Sequence, residues 1–524
     1  MKEYFTSLFM STRKDINENR SVYRLLFVST LIWGVLAHGF IMLNKIALHD
    51  ESLELYGQDL NTISQGRWMQ EILRKIELFC FEENRLSTTF LYALYAFIVC
   101  FFLASLFFRY FGIEGKVRLV ALAGVIVSSP TILMCFGYSY FVPYYLTGFL
   151  FVLVGVFFSL QKKSWLSFAF SVIFFCLAMG VYQSWMTFGL SLIFLKFFND
   201  VEKNEYKYIE YIKNGFYYLG IPVLASLFYF VINKIILTIT HRQMTSYAGI
   251  DTMGVTTISG YWERIKNAYL WFINPPTSEM SAFFPLKSIW LYRGILLSAV
   301  VLFIYHLAKR FKEKRNIYQE IVLIIVFPAV IFSILVIGGA EYLTPLNLMT
   351  NITLIVFCMQ QGNIADKKRS VIKCFRIIIL ALIVILDVFY VRFDNSNYLK
   401  AEMVQSEMRE WFSGLVYQIK SVEGYDDELP VLYINEWEKK DLTLNENQAY
   451  HLTPIWPYAL NEDYLLNDFA WRAFVKNHCG FNPKTIEIDD LIISEEDRRF
   501  IESMPSYPDD GSIKNMGDYI VVKY

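Results

Sequence analysis

Eleven stretches of mostly apolar residues divide the first 392 positions, at roughly 24–47, 88–108, 117–136, 140–160, 164–181, 184–198, 215–238, 289–308, 320–338, 345–361 and 374–392. Most approach the length of about 20 residues that a helix needs to cross a hydrocarbon core of ~30 Å; the sixth is short. Lipid offers no hydrogen bonds to an open backbone, so runs of this kind must fold as helices that satisfy their own N–H and C=O groups. A mean hydropathy of +0.36, with 55% hydrophobic and 19% charged residues, excludes an ordinary soluble enzyme of 524 residues. The segment before the first run is polar and basic up to Arg24, and no small-residue cleavage site follows it. That run therefore reads as a retained membrane helix, not a signal peptide. Seven scattered cysteines form no CxxC pair or disulfide framework.

Lys and Arg set the expected orientation. With the N-terminus cytoplasmic, each short inside connection is basic, from Arg13, Lys14, Arg20 and Arg24 through Arg109, Lys116 and Arg118 to Lys367, Lys368, Arg369 and Lys373. The outside connections near 137–140, 182–184 and 339–345 hold no Lys or Arg, and two longer outside loops cover 48–87 and 239–288. Eleven spans place residues 393–524 outside. There the composition turns polar, with 12 Lys and Arg against 25 Asp and Glu, leaving 36 against 24 in the rest of the chain. The overall net charge of -1 is thus a basic membrane body joined to an acidic tail, with no basic excess for nucleic acid. The spacing of Leu399, Met403, Met408, Phe412, Leu415 and Ile419 predicts an amphipathic helix over 397–422. PVLYINEW (430–437), TIEIDDLII (485–493) and DYIVVKY (518–524) read as strands. The expected architecture is a polytopic α-helical membrane domain, 1–392, followed by a small extracytoplasmic α/β domain, 393–524.

Polar groups at a membrane surface are costly unless used, which draws attention to the outer loops. The first contains His49-Asp50, Asp59 and Gly66-Arg67-Trp68. Trp68, Ile72, Ile76 and Phe79 then recur at helical spacing, opposite Arg67, Glu71, Arg74 and Lys75, as expected of an interfacial helix with basic groups at headgroup level. The second outer loop carries a similar stripe, Trp262, Ile265, Tyr269 and Phe272, beside Glu263, Arg264 and Lys266. Tyr182-Gln183 occupies a tight outer turn, and Glu341 is the acid at the outer ends of the ninth and tenth stretches. Asp387 lies inside the eleventh and must find an interior partner. No His/Cys ligand spacing appears, and a hard cation would need Asp50, Asp59 and Glu341 to converge.

An Asp just after the first span, followed by Gly66-Arg67-Trp68 leading into an amphipathic helix, resembles the Gtr-type bacterial glucosyltransferase family of the GT-C superfamily. CFGYSYFVPYYLTGFLFVLVGVFF (135–158) and MGVYQSWMTFGLSL (179–192) are similar to that family's aromatic turn and its Tyr-Gln between two spans. The likeness covers about residues 24–200. It implies a GT-C-like polytopic enzyme of the bacterial plasma membrane that takes a hexose, glucose in the family, from a polyprenyl-phosphate carrier to a cell-surface polysaccharide or teichoic-acid-like glycan on the outer face. In that setting Asp50 is the expected general base and Asp59 its alternative. Arg67, Arg74, Lys75 and Arg264 are expected donor-phosphate contacts, and His49, Trp68, Tyr182, Gln183 and Glu341 substrate contacts. A divalent cation, Mg or Mn, would be the only cofactor class. Two rival readings are a flippase for lipid-linked glycans and a polysaccharide polymerase or ligase. A flippase calls for charges within several spans; a polymerase calls for a large outer loop rich in Arg and His, which 239–288 is only modestly.

Overall fold

The computed structural model describes residues 2–46, 61–81, 88–138, 140–161, 163–204, 206–246, 251, 253–275, 289–338, 345–347, 349–361, 370–434, 468–488 and 494–523. His49, Asp50, Asp59 and Glu341 lie outside these residues. The described chain is predominantly helical, and each of the eleven apolar stretches falls on helix. Among the described residues, seven helical segments are long and apolar enough to cross a membrane. They comprise α2 (Arg20–Leu43), α4 (Thr89–Phe111), α5 with α6 (Lys116–Val127, Pro130–Phe136), α7 (Val142–Ser159), α10 (Tyr208–Ile239), α12 (Ile289–Lys312) and the membrane part of α16 (Ser370–Ser421). The helices α8 (Trp165–Val181), α9 (Trp185–Asn204), α13 (Tyr318–Ile331), α14 (Ser333–Gly338) and α15 (Thr350–Gln361) complete the bundle. The chain is therefore a multi-pass helical membrane protein.

The α5–α6 pair lies at the centre, almost wholly covered by its neighbours. Ser128 and Ser129 interrupt it, and Pro130, which has no N–H to donate, restarts the helix at its first position. Small residues bring the surrounding helices close, as in membrane interfaces generally. Ala93, Ala96, Cys100 and Ala104 line the buried side of α4, and Phe97 fills the space over Gly34 of α2. By contrast, Leu219, Val223, Leu227, Phe230 and Val231 on α10 are about half exposed, a surface suited to lipid and not to water. His38 ties three helices together, its ring nitrogens lying 2.8 Å from the Tyr398 hydroxyl and 2.7 Å from the Val127 carbonyl. Asp387 fits over Gly124, where a Cβ would meet its carboxylate at 2.6 Å. The partner expected from sequence is not found: neither oxygen of Asp387 accepts a hydrogen bond from a described residue, and the same holds for Asp394, about two turns further along the same face.

Contacts sort the helix ends into two rims. At the basic one, Arg109 pairs with Asp15 of the N-terminal helix α1 (Lys2–Glu18) at 3.4 Å, and the Tyr4 hydroxyl meets Ser167 Oγ at 2.8 Å. Arg310 bonds the Glu202 carbonyl at 2.7 Å and the buried Glu320 carboxylate at 3.0 Å, while His306 lies 3.3 Å from Glu202. Charges this buried require such partners. Helix α1 was not expected from the sequence; it leaves Phe9 and Met10 exposed and buries no residue.

At the opposite rim, α16 continues unbroken past residue 392 to Ser421, 52 residues and roughly 78 Å at 1.5 Å per residue. The amphipathic helix expected at 397–422 is the second half of this single rod. Met408, Phe412, Leu415 and Ile419 are buried on it, whereas Leu399 is exposed. Against this half pack α17 (Asp468–Cys479) and a four-stranded sheet of order β2-β1-β4-β3, made of β1 (Val431–Ile434), β2 (Thr485–Ile486), β3 (Ile513–Asn515) and β4 (Ile520–Lys523). β1 pairs in parallel with β2 and β4, with Val431 opposite Ile520, and β3 is antiparallel to β4. The ring of Phe412 stacks on Trp471 at 5.9 Å. Strand β3 escaped the sequence reading because Gly511 and Gly517 flank three residues with no alternating pattern. A further helix of this region, α18 (Glu495–Ser503), follows Ser494, whose hydroxyl caps the Asp497 N–H.

Candidate active site around Arg67

The described end of the first long loop is a tight turn, residues 62–66, followed by α3 (Trp68–Phe81). Gly66 takes φ +72°, a left-handed backbone that glycine adopts without a Cβ penalty. A side chain there would also have no room, since its Cβ would lie 2.9 Å from Gln183 Nε2 and inside contact distance of the Tyr229 hydroxyl. Those two groups hold the turn. Gln183 Nε2 donates to the Gln65 carbonyl at 2.8 Å and to the Tyr229 hydroxyl at 2.9 Å, and Tyr229 donates to the Gly66 carbonyl at 3.0 Å. From the other side, the Thr245 N–H bonds the Ser64 carbonyl at 2.9 Å.

This scaffold positions Arg67. Its guanidinium carbon sits 5.1 Å from the centre of the Tyr182 ring, within cation–π range. The Tyr182 hydroxyl donates to Asn347 Oδ1, which also accepts from Ser184 Oγ at 2.9 Å. Tyr145 packs edge-on against Tyr182 at 5.3 Å. Five segments remote in sequence thus meet: the 62–67 turn, the α8–α9 turn, Tyr229 of α10, Thr245, and residues 345–347.

Immediately beside it, α3 forms a narrow cleft with the aromatic α6–α7 turn. Glu71 and Arg74 face each other there through two hydrogen bonds, 2.9 and 2.7 Å. The Glu71 hydrogen bonds push the Arg74 guanidinium still further above its ordinary pKa. Tyr140, Phe141 and Tyr144 form the far wall, and the Tyr144 hydroxyl donates to Glu77 at 2.7 Å. Gln70 lines the same cleft while almost fully buried, and neither polar atom of its amide bonds a described residue. A buried primary amide without partners is costly, so a ligand or water at this position gains hydrogen bonds.

The structure brings Arg67, Tyr182 and Gln183 together around the 62–67 turn. Arg74 is engaged with Glu71; Lys75, 3.9 Å from the same carboxylate, is largely exposed. Trp68 is buried, its indole covering Gly180 of α8, where it locks α3 to the bundle. The apolar stripe behind it divides: Ile72, Ile76 and Phe79 face outward, the last 88% exposed. Arg264, on α11 (Ile258–Ile273), donates to the Ile337 carbonyl at 2.9 Å and makes no described contact with Arg67. His49, Asp50, Asp59 and Glu341 cannot be placed, being outside the described residues, although Asp59 lies two positions before Asn61 and Glu341 four before Pro345. Among the described residues no three His, Cys, Asp or Glu side chains gather into a metal-binding group.

Sequence reasoning missed Gln70, Tyr140, Tyr144, Ser184, Tyr229 and Asn347. Tyr140 and Tyr144 lay within the aromatic 135–158 segment, and Ser184 and Asn347 adjoined residues already singled out. Tyr229 sits inside an apolar span and carries no local signal.

No curated protein matches the chain, and no solved structure does. The family described as Glucosyl transferase GtrII matches residues 39–359, 321 of the 524 positions, and so takes in both long loops, 48–87 and 239–288, and each segment that meets around Arg67. A glycosyltransferase needs a polar, hydrogen-bonding site at one end of its apolar bundle, and the rim around Arg67 supplies one; the chain belongs to the GtrII glucosyl transferase family.

Proposed function

We propose that this glycosyltransferase moves a hexose, glucose by its family, from a polyprenyl-phosphate carrier to a hydroxyl of a cell-surface polysaccharide or teichoic-acid-like glycan at the outer face of the bacterial plasma membrane. The eleven apolar stretches act as spans, with the N-terminus cytoplasmic and residues 393–524 outside, as the distribution of Lys and Arg favours. The convergence of the Gly66-Arg67 turn with Tyr182, Ser184 and Asn347 carries this reading. It gathers hydrogen-bonding groups and a cation at one rim, next in sequence to Asp59 and Glu341.

The acceptor hydroxyl attacks the anomeric carbon as Asp50 takes its proton. The bond from that carbon to the phosphate oxygen breaks, and polyprenyl phosphate departs with the electron pair. Arg67 offsets the charge developing on that oxygen, its position fixed by the Tyr182 ring. The leaving phosphate is stable as an anion, so no general acid is required. A single displacement inverts the anomeric centre. Gln70, Tyr140 and Tyr144 supply amide and phenol groups for sugar hydroxyls, with aromatic faces alongside. Mg or Mn would be held, if at all, through Asp50, Asp59 and Glu341.

Outward-facing assays with polyprenyl-phosphate glucose and isolated surface polymer test the assignment. A correctly inserted Asp50→Asn protein should lose transfer by about 100-fold or more, the typical contribution of a general base. Undiminished transfer removes Asp50 from that role, and loss confined to Asp59→Asn transfers it to Asp59.

A further inference from the structure

We propose that the basic rim, at the end of the bundle remote from Arg67, holds the phosphate headgroup of an anionic membrane lipid between the first turns of α5 and α16. A cavity of about 780 Å³, open side included, is lined there by Arg118, Lys373, Arg376, Ile377 and Leu380. The order of these residues along the helix matches an amphiphile. Lys373, Arg376, Ile377 and Leu380 are three or four positions apart and share one face of α16, so cations at the rim give way to aliphatic side chains one turn deeper. Ile377 is exposed, as a surface along an acyl chain would be.

Electrostatics favour an anion in the cavity. Arg118 and Arg376 are close enough to repel, and Glu114 acts on Arg118 in the opposite sense. Lys373 and Arg376 form no ion pair with a described residue. Two half-buried guanidinium groups on neighbouring helices offer the forked donors that suit phosphate oxygens, and an exposed lysine adds a third charge. Basic pockets between membrane helices select anionic headgroups in this way. A soluble phosphate would use the cations and leave Ile377 and Leu380 without a role, so the lipid form is favoured.

The test uses full-length protein in nanodiscs of phosphatidylcholine with or without phosphatidylglycerol, with lipid retention followed by native mass spectrometry and stability by thermal unfolding. Wild type should retain phosphatidylglycerol at least tenfold over phosphatidylcholine and unfold at a higher temperature in its presence. Arg118→Gln with Arg376→Gln should lose both effects, and Lys373→Gln, an exposed change that leaves the packing intact, should lose part of them. Lys309→Gln with Lys312→Gln, on the same rim but outside the cavity, should lose neither. Equal retention of the two lipids overturns the proposal. So does equal loss in the Lys309 and Lys312 control, which would show only diffuse surface charge, or full competition by millimolar inorganic phosphate, which would make the ligand soluble.

Discussion

Replacing Gly66 by alanine tests whether the 62–66 turn is the element that positions Arg67. Two costs add. The left-handed φ of +72° penalises an L side chain by about 1–2 kcal/mol. The new methyl would also stand 2.9 Å from Gln183 Nε2, against an optimum of ~3.5 Å or more, and closer still to the Tyr229 hydroxyl. Relieving that overlap moves both partners and weakens the bonds from Gln183 to Tyr229 and from Tyr229 to the Gly66 carbonyl, each about 1 kcal/mol net. The sum, roughly 2–4 kcal/mol, falls on a local turn and not on the apolar core. The bundle should therefore still insert, with a lowered unfolding temperature, while Arg67 loses its place over Tyr182. A displacement of about 1 Å at a reacting group can cost about 100-fold in rate, so transfer should fall by 10- to 100-fold. Tyr229→Phe removes the oxygen that the methyl strikes, and the Gly66→Ala/Tyr229→Phe protein should regain part of the lost stability. Transfer within twofold of wild type in Gly66→Ala, or a double variant no more stable than Gly66→Ala alone, would refute the reasoning.

Other perturbations follow from the same geometry. Arg67→Lys keeps the charge but replaces the planar group over Tyr182 with a compact ammonium, and donor KM should rise several-fold in steady-state transfer assays. Gln70→Leu removes an amide that has no described partner, so unfolding temperature should hold or rise while transfer drops; a drop in both would mean that the amide is structural. Phe412→Ala empties a site stacked on Trp471 and should cost about 3–5 kcal/mol, visible as faster proteolysis of residues 422–524 with the spans intact. His478, half-buried against Phe474 and close to Arg409 and Lys45, has its pKa pushed down to about 4, chiefly by loss of solvent. The folded state therefore holds it neutral: its contribution to stability is complete above about pH 6.5 and is lost as pH falls toward 4. Thermal unfolding of the C-terminal region should show that dependence, and His478→Gln should flatten it.

Much of the bundle was legible in the sequence because hydropathy and length are local properties. A run of about 20 apolar residues has few alternatives to a helix in lipid, and each run found one. Arg67, Tyr182 and Gln183 were legible for a related reason: polar groups next to apolar runs stand out. The continuity of α16 was hidden, since composition changes near residue 393 while helix geometry does not. Helix α1 was hidden too, because a mostly polar segment with exposed aromatics has no strong periodic signature.

What the sequence determined by itself is a multi-pass helical protein with polar groups concentrated between its apolar runs. Only the tertiary structure decided which of those groups work together. Gln183 reaches Gln65 and Tyr182 reaches Asn347 across 118 and 165 positions, and Trp68 packs over Gly180. The physical reason is that burial and hydrogen-bond partnership depend on how helices pack, through the close approaches that Gly34, Gly124 and Gly180 permit. Spacing along one helix records which face a residue occupies, not what the neighbouring helix brings to it.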